Sequence, residues 1–369
     1  MKRIFLIFSL IISIGAMAQV GGPTTYRFLD IPMPARAAAL GGTSMSIWGD
    51  DINLYYSNPA LLNAGCVKQL ALNYCNYVAD MNFGNVAYAY HVKNIGTFAA
   101  GIQFFDYGKF ERRDEFDVKD GNFNASDYSL NLSWARRLKD TTFSFGITLK
   151  TLYSHYDTYY SVGSAADIGV TWAHKSGFTA SALLKNVGYI WKPYDKFNDT
   201  LQLPVGSQIG ISYKVKKAPF RLILVYDNLR TWDLTYTSPI AEPENTNLFG
   251  EEEVKEKTKW QNFSEKTRSF GDKLGRHMIF ATEVLITKNF NLRVGYNYRM
   301  HKEMMLPDKR TASGLSLGFG FQVYRFKINY AFTKYNLIGN SSIFSVTTNL
   351  GTYVKKEKKQ PASETSAAN

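Results

Sequence analysis

Long apolar runs are what this sequence lacks. Beyond the first eighteen residues no stretch of about 18 apolar residues occurs, so no transmembrane helix is expected. Cysteine is scarce, with Cys66 and Cys75 as the whole thiol inventory. They flank one expected strand, and at about 3.3 Å per residue their Cα atoms would stand roughly 30 Å apart, beyond disulfide reach. Two unpaired thiols, buried or facing lipid, are expected, with no metal-ligand spacing around them. Catalytic patterns are equally thin. There is no His-Glu-x-x-His and no Ser-x-x-Lys. The histidines, at 91, 155, 174, 277 and 301, are scattered at strand positions or strand ends. Asp50 and Asp51 are adjacent, so an extended chain points them opposite ways, poor geometry for a general acid and base. Asx side chains bond neighbouring backbone amides, so this pair reads as a turn former. No enzyme, no cofactor and no metal is expected.

What is present is aromatic and basic. Phe, Trp and Tyr make up 15% of the chain, with 24 Tyr and 25 Phe, yet the mean hydropathy is negative. That pairing suits a transmembrane β-barrel, in which lipid-facing and lumen-facing residues alternate; a secreted all-β protein has the same gross composition. Lys2 and Arg3, the apolar run Ile4–Ile14 and the small-residue site Ala16-Met17-Ala18 form a secretory signal over residues 1–18. Gln19, not Cys, follows the cleavage point, which argues against a lipoprotein. The formal net charge is +12, and +10 without Lys2 and Arg3. An exported chain rarely meets nucleic acid, so the counter-charge expected is outer-membrane lipid or lipopolysaccharide. Solvated turn lysines account for the charge equally well.

From about residue 68 the chain alternates with period two. Phe290, Leu292, Val294, Tyr296 and Tyr298 share one face, opposite Asn291, Arg293, Gly295, Asn297 and Arg299. Leu315, Leu317, Phe319, Phe321 and Val323 face away from Ser316, Gly318, Gly320 and Gln322. Nine or ten residues of such alternation is the length of a tilted membrane crossing. The polar faces are rich in Gly, Ser, Asn and Thr, which suits an enclosed lumen better than open water. Strands are expected near 68–78, 83–93, 96–106, 125–137, 141–153, 163–174, 177–187, 205–215, 219–229, 275–287, 290–300, 313–324, 326–335 and 341–351. The fold class expected is therefore all-β, a fourteen-stranded antiparallel transmembrane β-barrel over 68–354. Even-numbered connections are tight, such as Lys175-Ser176 and Lys288-Asn289, and each carries a basic residue. Odd-numbered ones are mostly long, near 107–124, 154–162, 188–204, 230–274, 301–312 and 336–340. Short periplasmic turns and long outer loops are the pattern of outer-membrane barrels, which puts both termini in the periplasm.

Two stretches stand outside the alternation. Residues 19–67 show little regular structure beyond one short helix after Asn58-Pro59, and are expected to enter the lumen from the periplasmic mouth as a hatch or plug. The connection 230–274 is long enough to be functional; it holds Trp232, Phe249, Trp260, Phe263 and Phe270, and is expected to face a partner. A flexible surface loop is the bland alternative. The tail 355–369, rich in Lys, Ser and Ala, is expected to be disordered.

Ala35-Arg36-Ala37-Ala38-Ala39-Leu40-Gly41-Gly42, then Asp50-Asp51, Tyr55 and Asn58-Pro59-Ala60, carry a family resemblance. They look like the amino-terminal pattern of FadL-like outer-membrane barrels, in particular the PorV/PorQ branch. Asn186-Val187-Gly188, Leu203-Pro204 and Gly210-Ile211-Ser212-Tyr213 resemble the same branch, and Tyr26-Arg27-Phe28-Leu29-Asp30-Ile31-Pro32 is nearer its PorQ side. The resemblance implies a fourteen-stranded barrel with a lumenal hatch and a non-enzymatic part in type IX secretion. The role implied is an anchor in the attachment complex that holds a PorZ-like surface protein, beside the PorU sortase and a PorV-like barrel. The alternative is a FadL-like transporter of hydrophobic compounds, which needs an apolar route that the polar strand faces do not supply. The tail after Tyr353 departs from barrels that end on an aromatic residue.

Overall fold

The computed structural model describes residues 24–77, 81–138, 142–194, 201–235, 259–304, 312–334 and 339–352, with the side chains of 259–266 excepted. The expected signal peptide and tail lie outside these.

Fourteen antiparallel strands close into a barrel. They are β1 (Gln69–Asn76), β2 (Asn82–Val92), β3 (Gly96–Arg113), β4 (Lys119–Arg137), β5 (Phe143–Tyr156), β6 (Tyr159–Ala173), β7 (Phe178–Lys192), β8 (Gly206–Lys214), β9 (Phe220–Asp227), β10 (Met278–Val284), β11 (Phe290–Asn297), β12 (Leu315–Val323), β13 (Phe326–Thr333) and β14 (Ser341–Asn349). The seam pairs β1 with β14, from Gln69 opposite Asn349 to Asn76 opposite Ser342. Closure leaves no free edge in the ring, so each strand spends its backbone hydrogen bonds on its neighbours. Among the described residues three α-helices accompany them: α1 (Ala35–Ala39), α2 (Lys259–Arg276) and α3 (Tyr298–Glu303).

Every strand expected from the alternation is present. The exposed side is apolar, with Leu72, Val86, Ile102, Leu132, Ile168 and Phe344 among its members. The inward positions are mostly small or polar, such as Asn73, Asn85, Ser129, Ser133 and Ser345. An apolar outer face around a closed ring matches a lipid-exposed wall.

The connections differ from expectation. Residues 107–113 and 119–124, and all of 154–162 but Asp157 and Thr158, are strand rather than loop. β3 and β4 stay paired up to Arg113 opposite Lys119, and β5 and β6 turn tightly at Tyr156 opposite Tyr159. Charged residues on both faces, such as Glu111, Arg112 and Arg113, hide the period of two. Pairing persists because a ribbon standing in water needs no apolar face. β7 likewise runs on to Lys192, through a bulge at Asn186, which has a positive φ of 57°. The wall is therefore uneven in height: β3 and β4 have 18 and 19 residues, while β10 has 7.

The lumen is a core rather than a polar bore. Leu40, Met45, Ile47 and Leu54 pack against Leu183, Ile223, Val225 and Ile279. Tyr26 and Phe28 pack with Phe83, Phe105, Leu152 and Leu203. Gly295 shows how close the contact is: a Cβ there would stand 2.1 Å from the Gly41 nitrogen, so only glycine lets the two backbones meet.

The segment also runs the other way from expectation. The Thr25 amide donates to the Gln202 carbonyl at 3.0 Å, and Tyr26 donates to Ser161 at 2.8 Å; both partners lie at the long-connection end. Residues 48–67 lie at the short-turn end, where Trp48 receives the Arg137 guanidinium and Lys327 donates to the Asp50 carbonyl. Thr24 and Leu350 therefore lie at opposite ends of the barrel. A basic turn count cannot reveal this, because it fixes β1 and says nothing of the path before it.

Candidate functional site: the amino-terminal segment and its buried charges

Alanine is the best helix former, and five residues of Ala-Arg-Ala-Ala-Ala make a helix slim enough to lie on the wall. α1 follows Pro34 and packs on β12, β13 and β14, with the Ala35 amide donating to Ser345 Oγ at 2.9 Å. Gly41 and Gly42 end it. Gly42 N donates to Ala37 O at 3.0 Å and Gly41 N to Ala38 O at 3.3 Å, the paired bonds of a Schellman stop. Gly41 has φ 79° and Gly42 φ 113°, the left-handed region where a side chain is strained. The Gly pair is a helix stop.

Arg36 is the one long side chain of the run. Its Nε and Nη2 donate to the two carboxylate oxygens of Glu283 at 3.1 and 2.9 Å, a two-pronged grip. Nη1 reaches Asp51 Oδ2 at 3.4 Å. Glu283, on β10, is fully buried and also accepts from Arg221 and, at 2.9 Å, from Arg293. Arg293 Nη1 in turn donates to Asn329 Oδ1 at 2.9 Å. Three guanidinium groups thus share two carboxylates inside the barrel. Burial would drive the Arg36 pKa down, but Glu283 and Asp51 together hold it above its ordinary value.

The remaining motif residues are builders. Asp51 Oδ1 caps the short turn Ile52–Tyr56 by accepting from Asn53 N at 3.1 Å, so Asp51 both forms the turn and pairs Arg36. Asp50 meets its neighbours through its carbonyl, which accepts from Gln69 and Lys327. Asn58 Oδ1 accepts from Ala60 N at 2.9 Å, starting the turn Pro59–Leu61, while its Nδ2 donates to Met45 O and Thr171 Oγ1 at 3.1 Å each. Tyr55 is buried with its ring 4.1 Å from that of Tyr56. Gly146 on β5 faces Pro59 and Ala60, and a Cβ there would come within 2.6 Å of both.

Glu283, Arg221 and Arg293 were not singled out from sequence. The one available signal was a charge on the small-residue face of a strand, as Arg293 is among Asn291, Gly295 and Asn297. Gly314-Leu315-Ser316-Leu317-Gly318 spells the hydrolase nucleophile pattern. It lies along β12, however, and the Ser316 hydroxyl pairs with Thr333 at 2.9 Å. Among the described residues no group of three His, Cys, Asp or Glu could hold a metal. Cys66 and Cys75 are free and buried; burial pushes the Cys66 thiol up to about 12.

The aromatics expected to face a partner are divided. Trp232 stands with its ring 5.5 Å from Phe270 and 5.7 Å from His277. Trp260 and Phe263 fall in α2, with side chains outside the described residues, and Phe249 lies outside them altogether.

A fourteen-stranded barrel with residues 24–67 packed against its inward face is the setting for the comparison with known proteins. Residues 18–189 match the family model of the type IX secretion system protein PorV. This match, which takes in the Arg36-to-Ala60 motif, points to type IX secretion. No curated protein matches the chain. Among solved structures, the Ralstonia pickettii toluene transporter TbuX has a TM-score of 0.50 at 12% identity, over 87% of this chain and 99% of that one. The Pseudomonas putida toluene transporter TodX has a TM-score of 0.50 at 11% identity, over 86% and 96%. At such identity the likeness is one of fold. The PorV-family match and the barrel together point to the outer membrane.

Proposed function

We propose that this chain is an outer-membrane anchor of a type IX secretion attachment complex, nearer the PorQ side of the PorV/PorQ branch, with residues 24–67 as a lumenal hatch. The long-connection end is the cell-surface end. It holds a PorZ-like partner through the β9–β10 connection and the β3–β4 ribbon, whose Phe116 is 84% exposed. The PorU sortase and a PorV-like barrel are neighbours in the same assembly.

The filled lumen carries this reading. Arg36, clamped on Glu283, sits where a transport path would have to run, and an interior pocket beside Tyr55, Lys150 and Asp167 measures only about 40 Å³, the scale of a water or two. An apolar hollow of about 490 Å³ lies on the outer wall among Ile211, Leu222, Leu224, Phe280 and Val294. Such a hollow suits a lipid chain.

The test is affinity purification from outer membranes of a chain shortened at the β3–β4 ribbon and between residues 236 and 258. Heat-modifiable migration checks that the barrel is intact. Loss of the co-purifying surface protein is expected. Undiminished co-purification, with impaired uptake of hydrophobic compounds in a deletion strain, would favour a transporter. The hatch has its own test: removing residues 20–60 should leave a barrel that conducts ions more freely in planar bilayers. Unaltered conductance would overturn that part alone.

A further inference from the structure

α2 is amphipathic the wrong way round for a helix packed on a protein in water. Its polar residues make the inward contacts. Asp272 accepts from the Tyr298 hydroxyl at 2.8 Å, Lys273 pairs with Asp233 at 2.7 Å, and Arg276 donates to the Leu234 carbonyl at 3.3 Å. Phe270 and Leu274, one turn apart on another face, are 57% and 37% exposed. In the sequence, residues 260, 263, 267, 270 and 274 recur at three- and four-residue spacing, which is one stripe of a helix; four of them are Trp, Phe, Phe and Leu.

The stripe is continuous with the outer wall. Phe270 packs on Trp232, Trp232 stacks on His277, and His277 stacks on Tyr226 at 4.7 Å. Tyr226 lies opposite Ile209 in the β8–β9 ladder, and Ile209 is an exposed residue of the apolar face. A line of aromatic contacts thus runs from the lipid-facing wall to the exposed side of α2. Residues 259–276 hold five basic and two acidic side chains, the balance that anionic headgroups favour.

We propose that α2 is an interfacial helix, with Phe270 and Leu274 turned into the headgroup–acyl boundary of the bilayer at the long-connection rim. The polar pins to Asp233, Leu234 and Tyr298 hold that face outward. This assignment goes beyond the attachment-complex reading and does not need it, since it requires only that the barrel span a bilayer. It gives these two residues to lipid and leaves protein docking to the rest of the β9–β10 connection.

The experiment places single nitroxide labels on the full chain at Phe270→Cys, Leu274→Cys and Arg268→Cys. The protein is reconstituted in liposomes of phosphatidylethanolamine and phosphatidylglycerol, with unsubstituted protein as background for the buried native thiols. Labels at 270 and 274 should collide more with oxygen than with a water-soluble nickel chelate, and the label at 268 should show the reverse. Heat-modifiable migration confirms that each variant is folded, and either of the first two suffices. Nickel-dominated collisions at 270 and 274 would overturn the assignment, leaving the stripe free for a protein partner. Shielding from both reagents would overturn it too, by placing the stripe inside the protein.

Discussion

Replacing Glu283 by Gln tests whether the N-terminal segment is fastened by charge. The substitution keeps the shape of the side chain and removes the carboxylate that Arg36, Arg221 and Arg293 share. Three buried guanidinium groups then face Asp51 alone among these partners, and Asp51 lies 3.4 Å from only one of them. Removing one partner of a buried pair costs about 3–5 kcal/mol, because the other charge is left buried without compensation. Arg36→Met is milder, about 1–3 kcal/mol, since Glu283 keeps two guanidinium groups and the site loses its surplus positive charge. The double variant should therefore cost clearly less than the two singles together, with a coupling of about 1–3 kcal/mol. Urea titration of chains refolded into liposomes, followed by tryptophan fluorescence, gives the three values. Protease access to residues 35–67 shows whether the segment is what loosens. Additive costs, or a Glu283→Gln chain as stable as the parent, would refute the reasoning.

Gly295→Ala puts a methyl group against Gly41 and should destabilise the barrel by at least the roughly 1–3 kcal/mol of ordinary overpacking, read by its heat-modifiability midpoint. Asn58→Ala removes one cap and two further hydrogen bonds; a loss of about 1–3 kcal/mol in the same titration, with partner recruitment by the folded fraction intact, marks it as structural. α2 should loosen in acid. Burial would raise the Asp272 carboxyl, yet its bonds from Arg276 and Tyr298 hold it below the usual range. A depressed folded value means the stabilisation is complete above the unfolded value of about 3.9 and fades as pH falls through the folded one. Amide exchange across 270–276 should therefore stay slow at neutral pH and rise only at pH below about 4.

The strand count was legible because a wall between lipid and a packed lumen forces period two on every crossing. Phe290 to Asn297 shows it plainly, with Leu292 and Val294 exposed and Arg293 and Asn297 buried. The same rule fails beyond the apolar band of the wall, where exposed Glu111 to Arg113 pair in a ribbon that has no reason to alternate. α2 was hidden for a related reason: its stripe reads as aromatics scattered through a long charged connection. The motif from Arg36 to Ala60 was visible as an oddity, but its partners were not. Glu283 lies 247 positions from Arg36, and no local pattern joins residues that meet only when the ring closes. The direction of the segment was missed likewise, because its two ends are set by Gln202 and Lys327.

Asn53 belongs to the segment, yet its side chain donates to Thr347 on β14 and accepts from Asn73 on β1. Those are the first and last strands, which meet only when the ring shuts. The segment therefore braces the seam from the lumen side, adding side-chain bonds to a joint that the backbone ladder of β1 and β14 already closes. A chain without the segment keeps that ladder and loses only the inner brace, so its barrel should close yet part more readily at this one joint.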